Sequence, residues 1–158
     1  MSVFINRKNF YLLIILFSIF VLISALYIEF ILGYSACKLC LYQRIPFIIS
    51  IFISFIGYYF IKNDIILISL IITFSISAII SGYHVGIENN IFDELKTCSA
   101  QDLGNINKEN ILNNLDKMPV NCKNVNFTIL GLSLSTINFL SSLFITIYSI
   151  RTLVYEKN

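Results

Sequence analysis

Four stretches of this chain are almost purely apolar, and polar segments divide them. Phe10–Leu32 carries one charge, Glu29, near its end; Ile45–Ile61, Ile65–Ile87 and Phe127–Ile150 carry none, counting His84 as neutral. A helix that crosses a bilayer needs about 17–25 such residues. In hydrocarbon every backbone N–H and C=O must find its partner within the protein, so the runs read as helices rather than strands. The pattern predicts an all-α membrane protein: a four-helix transmembrane bundle, one integral-membrane domain over 1–158, with spans at 10–32, 45–61, 65–87 and 127–150. Two outer loops follow, 33–44 and 88–126, and both termini share the opposite side. Within the second loop, "NKENILNNLDKM" (Asn107–Met118) predicts a short amphipathic helix. Asn107 suits its N-cap, Ile111, Leu112, Leu115 and Met118 fall on one side, and Pro119 ends it. The first run is longer than the apolar core of a signal peptide and lacks a small-residue cleavage site, so it reads as a retained span.

Composition adds to this reading. The chain is 57% hydrophobic and 13% charged, far from a soluble domain. With a net charge of +2 and no basic run, it has no nucleic-acid signature; its expected surroundings are lipid. Arg7, Lys8, Lys62, Arg151 and Lys157 crowd into the short segments on the terminal side. Lys38, Arg44, Lys96, Lys108, Lys117 and Lys123 are spread through the much longer outer loops. By density the bias puts the termini in the cytoplasm, although Lys38 and Arg44 run against it.

All four cysteines fall on the other side: Cys37 and Cys40 in the first outer loop, Cys98 and Cys122 in the second. Disulfides persist in oxidising compartments, which agrees with the orientation. Two inert bridges are one reading. A Cys98–Cys122 bridge would close a long loop and stabilise by roughly 3 kcal/mol on the chain-entropy model. A Cys37–Cys40 bridge closes too few residues to be a useful staple. C-x-x-C spacing suits redox exchange instead, because the second thiol resolves what the first attacks. A single zinc held by four thiolates is disfavoured, since structural zinc sites pair two short-spaced motifs and this chain has one; no metal is expected. Arg44, four residues after Cys40, is costly at a membrane edge unless it snorkels or finds an anion. It reads as an interfacial anchor, or as a cation beside the Cys40 thiolate or a reduced acceptor. His84 and Glu88 lie four apart on one face of the third span, as polar end groups or as proton handlers. No haem, flavin or dinucleotide fingerprint is present. A lipid-soluble acceptor needs no motif, only an apolar gap with a polar end.

These residues resemble the DsbB family of bacterial membrane proteins that generate disulfides. The likeness rests on "CKLCLYQR" (Cys37–Arg44), "GYHVGIE" (Gly82–Glu88), "FTILGLSLSTIN" (Phe127–Asn138) and a cysteine pair in the second loop, and covers nearly the whole chain. It implies a bacterial inner-membrane oxidoreductase whose redox-active centre faces the periplasm. Cys98 and Cys122 would reoxidise a DsbA-type thioredoxin-like carrier, with Cys98 forming the mixed disulfide. Electrons would pass to Cys37 and Cys40, and from Cys40 to a quinone, ubiquinone or menaquinone. Arg44 carries over as a quinone-site residue, with His84 and Glu88 as candidates beside it. The rival reading is a four-span structural or adaptor protein with two inert disulfides. A reductase running the opposite way would need thiols in the spans or on the cytoplasmic side, and the sequence has none there.

Overall fold

The computed structural model describes residues 6–93, 122, 128–129 and 131–155. Cys98 and the helix expected over Asn107–Met118 lie outside the described residues. The element order is α1 (Arg7–Phe30), α2 (Lys38–Tyr59), α3 (Asp64–Glu88), β1 (Thr128–Ile129), β2 (Leu132–Ser133) and α4 (Leu134–Tyr155). All four helices are long and apolar enough to cross a membrane, and they form the four-helix membrane bundle the pattern predicts. α1 packs on α2, α2 on α3, and α3 on α4. The Phe10 and Tyr148 rings, 5.2 Å apart, close the ring of helices between α1 and α4.

Two helix starts differ from the spans read off the apolar runs. α2 begins at Lys38, seven residues before Ile45, because Cys37 in extended conformation caps it and its side chain accepts from the Cys40 N–H. The apolar run marks the hydrocarbon layer, while the helix continues past it into the interface. The C-x-x-C pair and Arg44 therefore sit on or at the start of a helix, and Cys40 and Arg44 are one turn apart. α4 begins at Leu134, after Phe127, because a two-residue-strand hairpin precedes it, pairing Thr128 with Ser133 and Ile129 with Leu132. Gly131 sits in that hairpin at φ +81°, a left-handed conformation that glycine adopts without steric cost.

The bundle is inverted relative to a soluble one. Leu16, Ile23, Phe52 and Phe55 face outward, as a lipid solvent allows. Inside, Ser18, Ser50, Ser54, Ser77, Ser81 and Ser142 are fully buried. Small residues let membrane helices approach closely, and hydroxyls bond across the gap. Ser18 Oγ lies 2.8 Å from Ser50 Oγ, and Ser142 Oγ donates to Ser77 Oγ at 3.0 Å. The larger core side chains, among them Tyr11, Phe47, Leu67, Leu70 and Phe74, form one cluster nearer the terminal end. There Arg7 bridges to Asp64 at 2.9 Å and donates to the Ile61 carbonyl at 3.1 Å. That contact ties the first turn of α1 to the first turn of α3.

Gly57 marks a close approach of α1 to α2. A Cβ there would lie 2.8 Å from two ring atoms of Tyr11 and 3.0 Å from Ile66 Cγ2. Tyr11 is fully buried, so its ring has no room to swing. Gly57→Val should destabilise the folded protein by about 1–3 kcal/mol, the usual range for overpacking. Reversible unfolding in mixed detergent micelles measures it; a midpoint equal to wild type would contradict the packing described.

Candidate functional site

The cysteine end of the bundle gathers almost every polar residue that the sequence singles out. After α1 the chain turns through Gly33 at φ +75° and runs to Cys37. Because Cys37 caps α2, its sulfur lies over the helix N-terminus, 3.3 Å from the Cys40 N–H. Capping also folds the two cysteines together: the Cys37 thiol donates to Cys40 Sγ across 2.9 Å. Cys37 is 5% exposed, and Cys122, from the second loop, is 2% exposed. The two share a buried cluster with Leu39 and Ile87, against which Cys40 and Tyr83 pack.

His84, on α3, stands over this pair. Its Nε2 lies 3.7 Å from Cys37 Sγ, 3.3 Å from the Cys122 carbonyl oxygen and 3.6 Å from Glu88 Oε1. Its Nδ1 lies 3.0 Å from Gln43 Nε2. Glu88 in turn accepts from Ser133 Oγ at 2.6 Å, which fastens the end of α3 to the hairpin before α4. Gly86 keeps the same end compact, since a side chain there would collide with the ring of Phe92.

Arg44 points to a different anion from those the sequence offers. Its Nη1 lies 2.6 Å from Glu29 Oε2 on α1, both groups being largely buried. That oxygen makes no aligned hydrogen bond, so the contact is a charge pairing across the helices rather than a bidentate clamp. Arg44 lines a cavity of about 390 Å³ that lies between α1, α2 and α4, with His84 and Glu88 of α3 at one end. Phe17, Phe20, Val21, Phe47 and Ile137 line its apolar walls. Its polar end carries Cys37, Cys40, Arg44, His84, Glu88 and Cys122.

The Cys37 thiol is pushed up to about 12. Its hydrogen bond to Cys40 holds the proton on Cys37, and burial disfavours the thiolate, while His84 and the Cys40 N–H pull the other way. In the dithiol state Cys37 thus keeps its proton.

Cys37 Sγ, Cys40 Sγ and His84 Nε2 all lie within 4.8 Å of one another. A tetrahedral zinc with Zn–S of about 2.3 Å holds its sulfurs roughly 3.8 Å apart. Cys37 Sγ and Cys40 Sγ lie closer than that, at 2.9 Å.

Of the seven residues singled out from sequence, six meet at this end; Cys98 lies outside the described residues. Sequence reasoning missed Glu29, Gln43, Ser133 and Asn138 as members of the site. Each had a signal. Glu29 is the lone charge in the first apolar run, Gln43 stands next to Arg44, and Asn138 is an amide inside an otherwise apolar and hydroxyl-bearing run.

Comparison with known proteins agrees with this geometry. A family model described as "Disulfide bond formation protein DsbB" matches residues 7–151. A protein of Rickettsia prowazekii (strain Madrid E), described as "Uncharacterized protein RP370", is 30% identical over 151 residues, which cover 93% of this chain and 88% of the relative.

The position of the Cys37 proton has a measurable consequence. In the fully reduced protein, thiolate-directed alkylation of Cys37 should stay slow at neutral pH and climb steadily as pH rises towards about 12, because only the thiolate reacts. Cys40→Ala removes the main partner that retains the proton and should move the rise to lower pH. Site-resolved mass spectrometry reads both profiles; superimposable curves would contradict the shared proton.

Proposed function

The chain belongs to the DsbB family, whose members form disulfide bonds, and we propose that it reoxidises a soluble thioredoxin-like carrier of the DsbA type and delivers the electrons to membrane quinone. It is a multi-pass membrane protein; on this reading it sits in the bacterial inner membrane with the cysteine end facing the periplasm. The observation that carries the proposal is the burial of Cys122 against the Cys37–Cys40 pair, at the polar end of an apolar cavity. Its position beside the first pair supports exchange between the two.

The relay balances as follows. One carrier thiolate attacks Cys98 of a Cys98–Cys122 bridge, forming a mixed disulfide and releasing Cys122. Cys122 attacks Cys37 of the Cys37–Cys40 bridge, and Cys40 leaves. Attack at Cys37 is favoured by place: Cys37 and Cys122 share one buried cluster. The second carrier thiol then resolves the mixed disulfide, freeing an oxidised carrier and the Cys98 thiol. Cys98 attacks Cys122, restores the second-loop bridge and releases Cys37. Cys37 and Cys40 now hold two electrons and two protons.

A quinone in the cavity would accept both electrons and both protons as the Cys37–Cys40 bridge re-forms. The cavity suits such a ring and its isoprenoid tail: aromatic and aliphatic walls, with a buried cation at one end. Arg44 would steady negative charge at the head of the site. It is held ready by Glu29, whose ion pair an incoming polar group can loosen. His84 and Glu88 stand where protons have to pass. A DsbA-type carrier is a strong oxidant at about −120 mV, so its reoxidation requires a sink of the quinone kind.

The direct test is purified protein in nanodiscs with a reduced DsbA-type carrier and a soluble quinone. Carrier oxidation coupled one-to-one to quinone reduction is expected, and loss of both in Cys37→Ser and Cys40→Ser. Carrier oxidation that persists in either variant would leave the first pair a structural bridge.

Two further outcomes separate the parts. Cys98→Ser should block turnover with the carrier, while a small dithiol still drives quinone reduction through Cys37 and Cys40; equal loss of both would dissolve the division of labour. Arg44→Gln should raise the apparent quinone KM about ten- to a hundredfold, the worth of a charge-assisted hydrogen bond at roughly 1–3 kcal/mol. Arg44→Lys should fall between, keeping the charge but losing the planar fork. An unchanged KM in Arg44→Gln at equal protein level would make Arg44 an anchor only.

A further inference from the structure

His84 is the single histidine of the chain, and its two ring nitrogens face opposite chemistry. Nε2 lies 3.3 Å from the Cys122 carbonyl oxygen. A carbonyl only accepts, so Nε2 carries the hydrogen. In a neutral imidazole Nδ1 is then a bare acceptor. Its neighbour at 3.0 Å is Gln43 Nε2, which only donates. The two contacts agree on one tautomer.

The orientation of Gln43 is itself determined. Its Oε1 accepts from Asn138 Nδ2 at 3.1 Å. Asn138 Oδ1 faces Ser142 Oγ at 3.3 Å, and Ser142 Oγ lies 3.0 Å from Ser77 Oγ. The chain of bonds runs from α4 through α2 to α3 and ends at the sulfur of Cys37. Gln43, His84, Ser77 and Ser142 are all buried. Turning over Gln43 alone would set its Nε2 against Asn138 Nδ2, and turning over Asn138 alone would set the two amide oxygens against each other.

We propose that Gln43 and Asn138 are positioning residues that hold His84 in the Nε2-protonated tautomer, with its N–H directed at the Cys37 sulfur and the Cys122 backbone. Neither touches a reacting atom; both act through the imidazole. The functional meaning rests on the relay reading above. When Cys98 attacks Cys122 of the Cys37–Cys122 bond, the bond to Cys37 breaks and the electron pair goes to the Cys37 sulfur. An N–H already aimed at that sulfur stabilises the developing thiolate, and the opposite tautomer would offer it a lone pair. Orientation of a histidine through its second nitrogen is a recurring device, and removing such a partner commonly costs about ten- to a hundredfold.

The experiment uses the full-length protein in nanodiscs, labelled with ¹⁵N-histidine, and a long-range ¹⁵N–¹H correlation of the one imidazole. Wild type is expected to show a protonated Nε2 and a bare Nδ1. Gln43→Leu should yield a mixture of tautomers, and Gln43→Glu should draw a proton to Nδ1. Asn138→Ala, remote from the ring, should move the spectrum in the same direction as Gln43→Leu; it serves if the Gln43 variants fold poorly. In stopped-flow measurements both Gln43→Leu and Asn138→Ala should lower kcat with carrier roughly tenfold. A protonated Nδ1 and bare Nε2 in wild type, or a wild-type spectrum in both Gln43→Leu and Asn138→Ala, would overturn the proposal. The spectrum does not depend on turnover. A protein with the expected tautomer but no quinone-coupled oxidation would therefore fail the relay and leave the positioning network standing.

Discussion

A polar atom inside a hydrocarbon layer has only other protein atoms for company. That constraint orders this molecule. It forces the spans into helices, turns their leucines and phenylalanines outward, and leaves serines as the facing surfaces of the bundle. It also decides where chemistry can stand. Charged and titratable groups are confined to the two ends. At the terminal end Arg7 is tied to Asp64. At the other end such groups form a connected set in which Glu29 faces Arg44, Glu88 faces His84 and Ser133, and Gln43 and Asn138 complete each other. The amide and imidazole part of this set is assembled from protein partners alone.

Much of the architecture was legible because membrane segments are written as continuous runs. No packing argument is needed to see that 65–87 crosses a bilayer. The ends of α2 and α4 were not legible in the same way. Hydropathy registers the hydrocarbon, whereas α2 starts where the Cys37 sulfur meets the Cys40 amide. α4 starts where Gly131 closes a hairpin inside a stretch as apolar as the helix itself.

The site divides along the same line. Contacts within one helix could be read from spacing: Cys37 with Cys40, Cys40 with Arg44, His84 with Glu88. Contacts between helices could not. Nothing in the order of residues says that Glu29 on α1 meets Arg44 on α2, or that an amide on α2 links His84 on α3 to Asn138 on α4. Arg44 is the instructive case. Its sequence position demanded a nearby anion, and the reading looked to a thiolate or an acceptor, while the fold supplies a carboxylate from another helix. The motif identified the chemistry, and the bundle chose the partner.

The depth of Cys37 carries a kinetic consequence. A thiol dissolved in the aqueous phase meets a sulfur with almost no exposed surface, so small reductants collide with it rarely. Cys122 travels on the same chain and already lies beside it. A tethered group of this kind acts at an effective concentration on the order of millimolar or more, whatever the bulk concentration of competing thiols. On the relay reading, access rather than redox potential then selects the electron donor. The tethered cysteine is then favoured over the surrounding thiol pool as the route by which oxidising power leaves the protein.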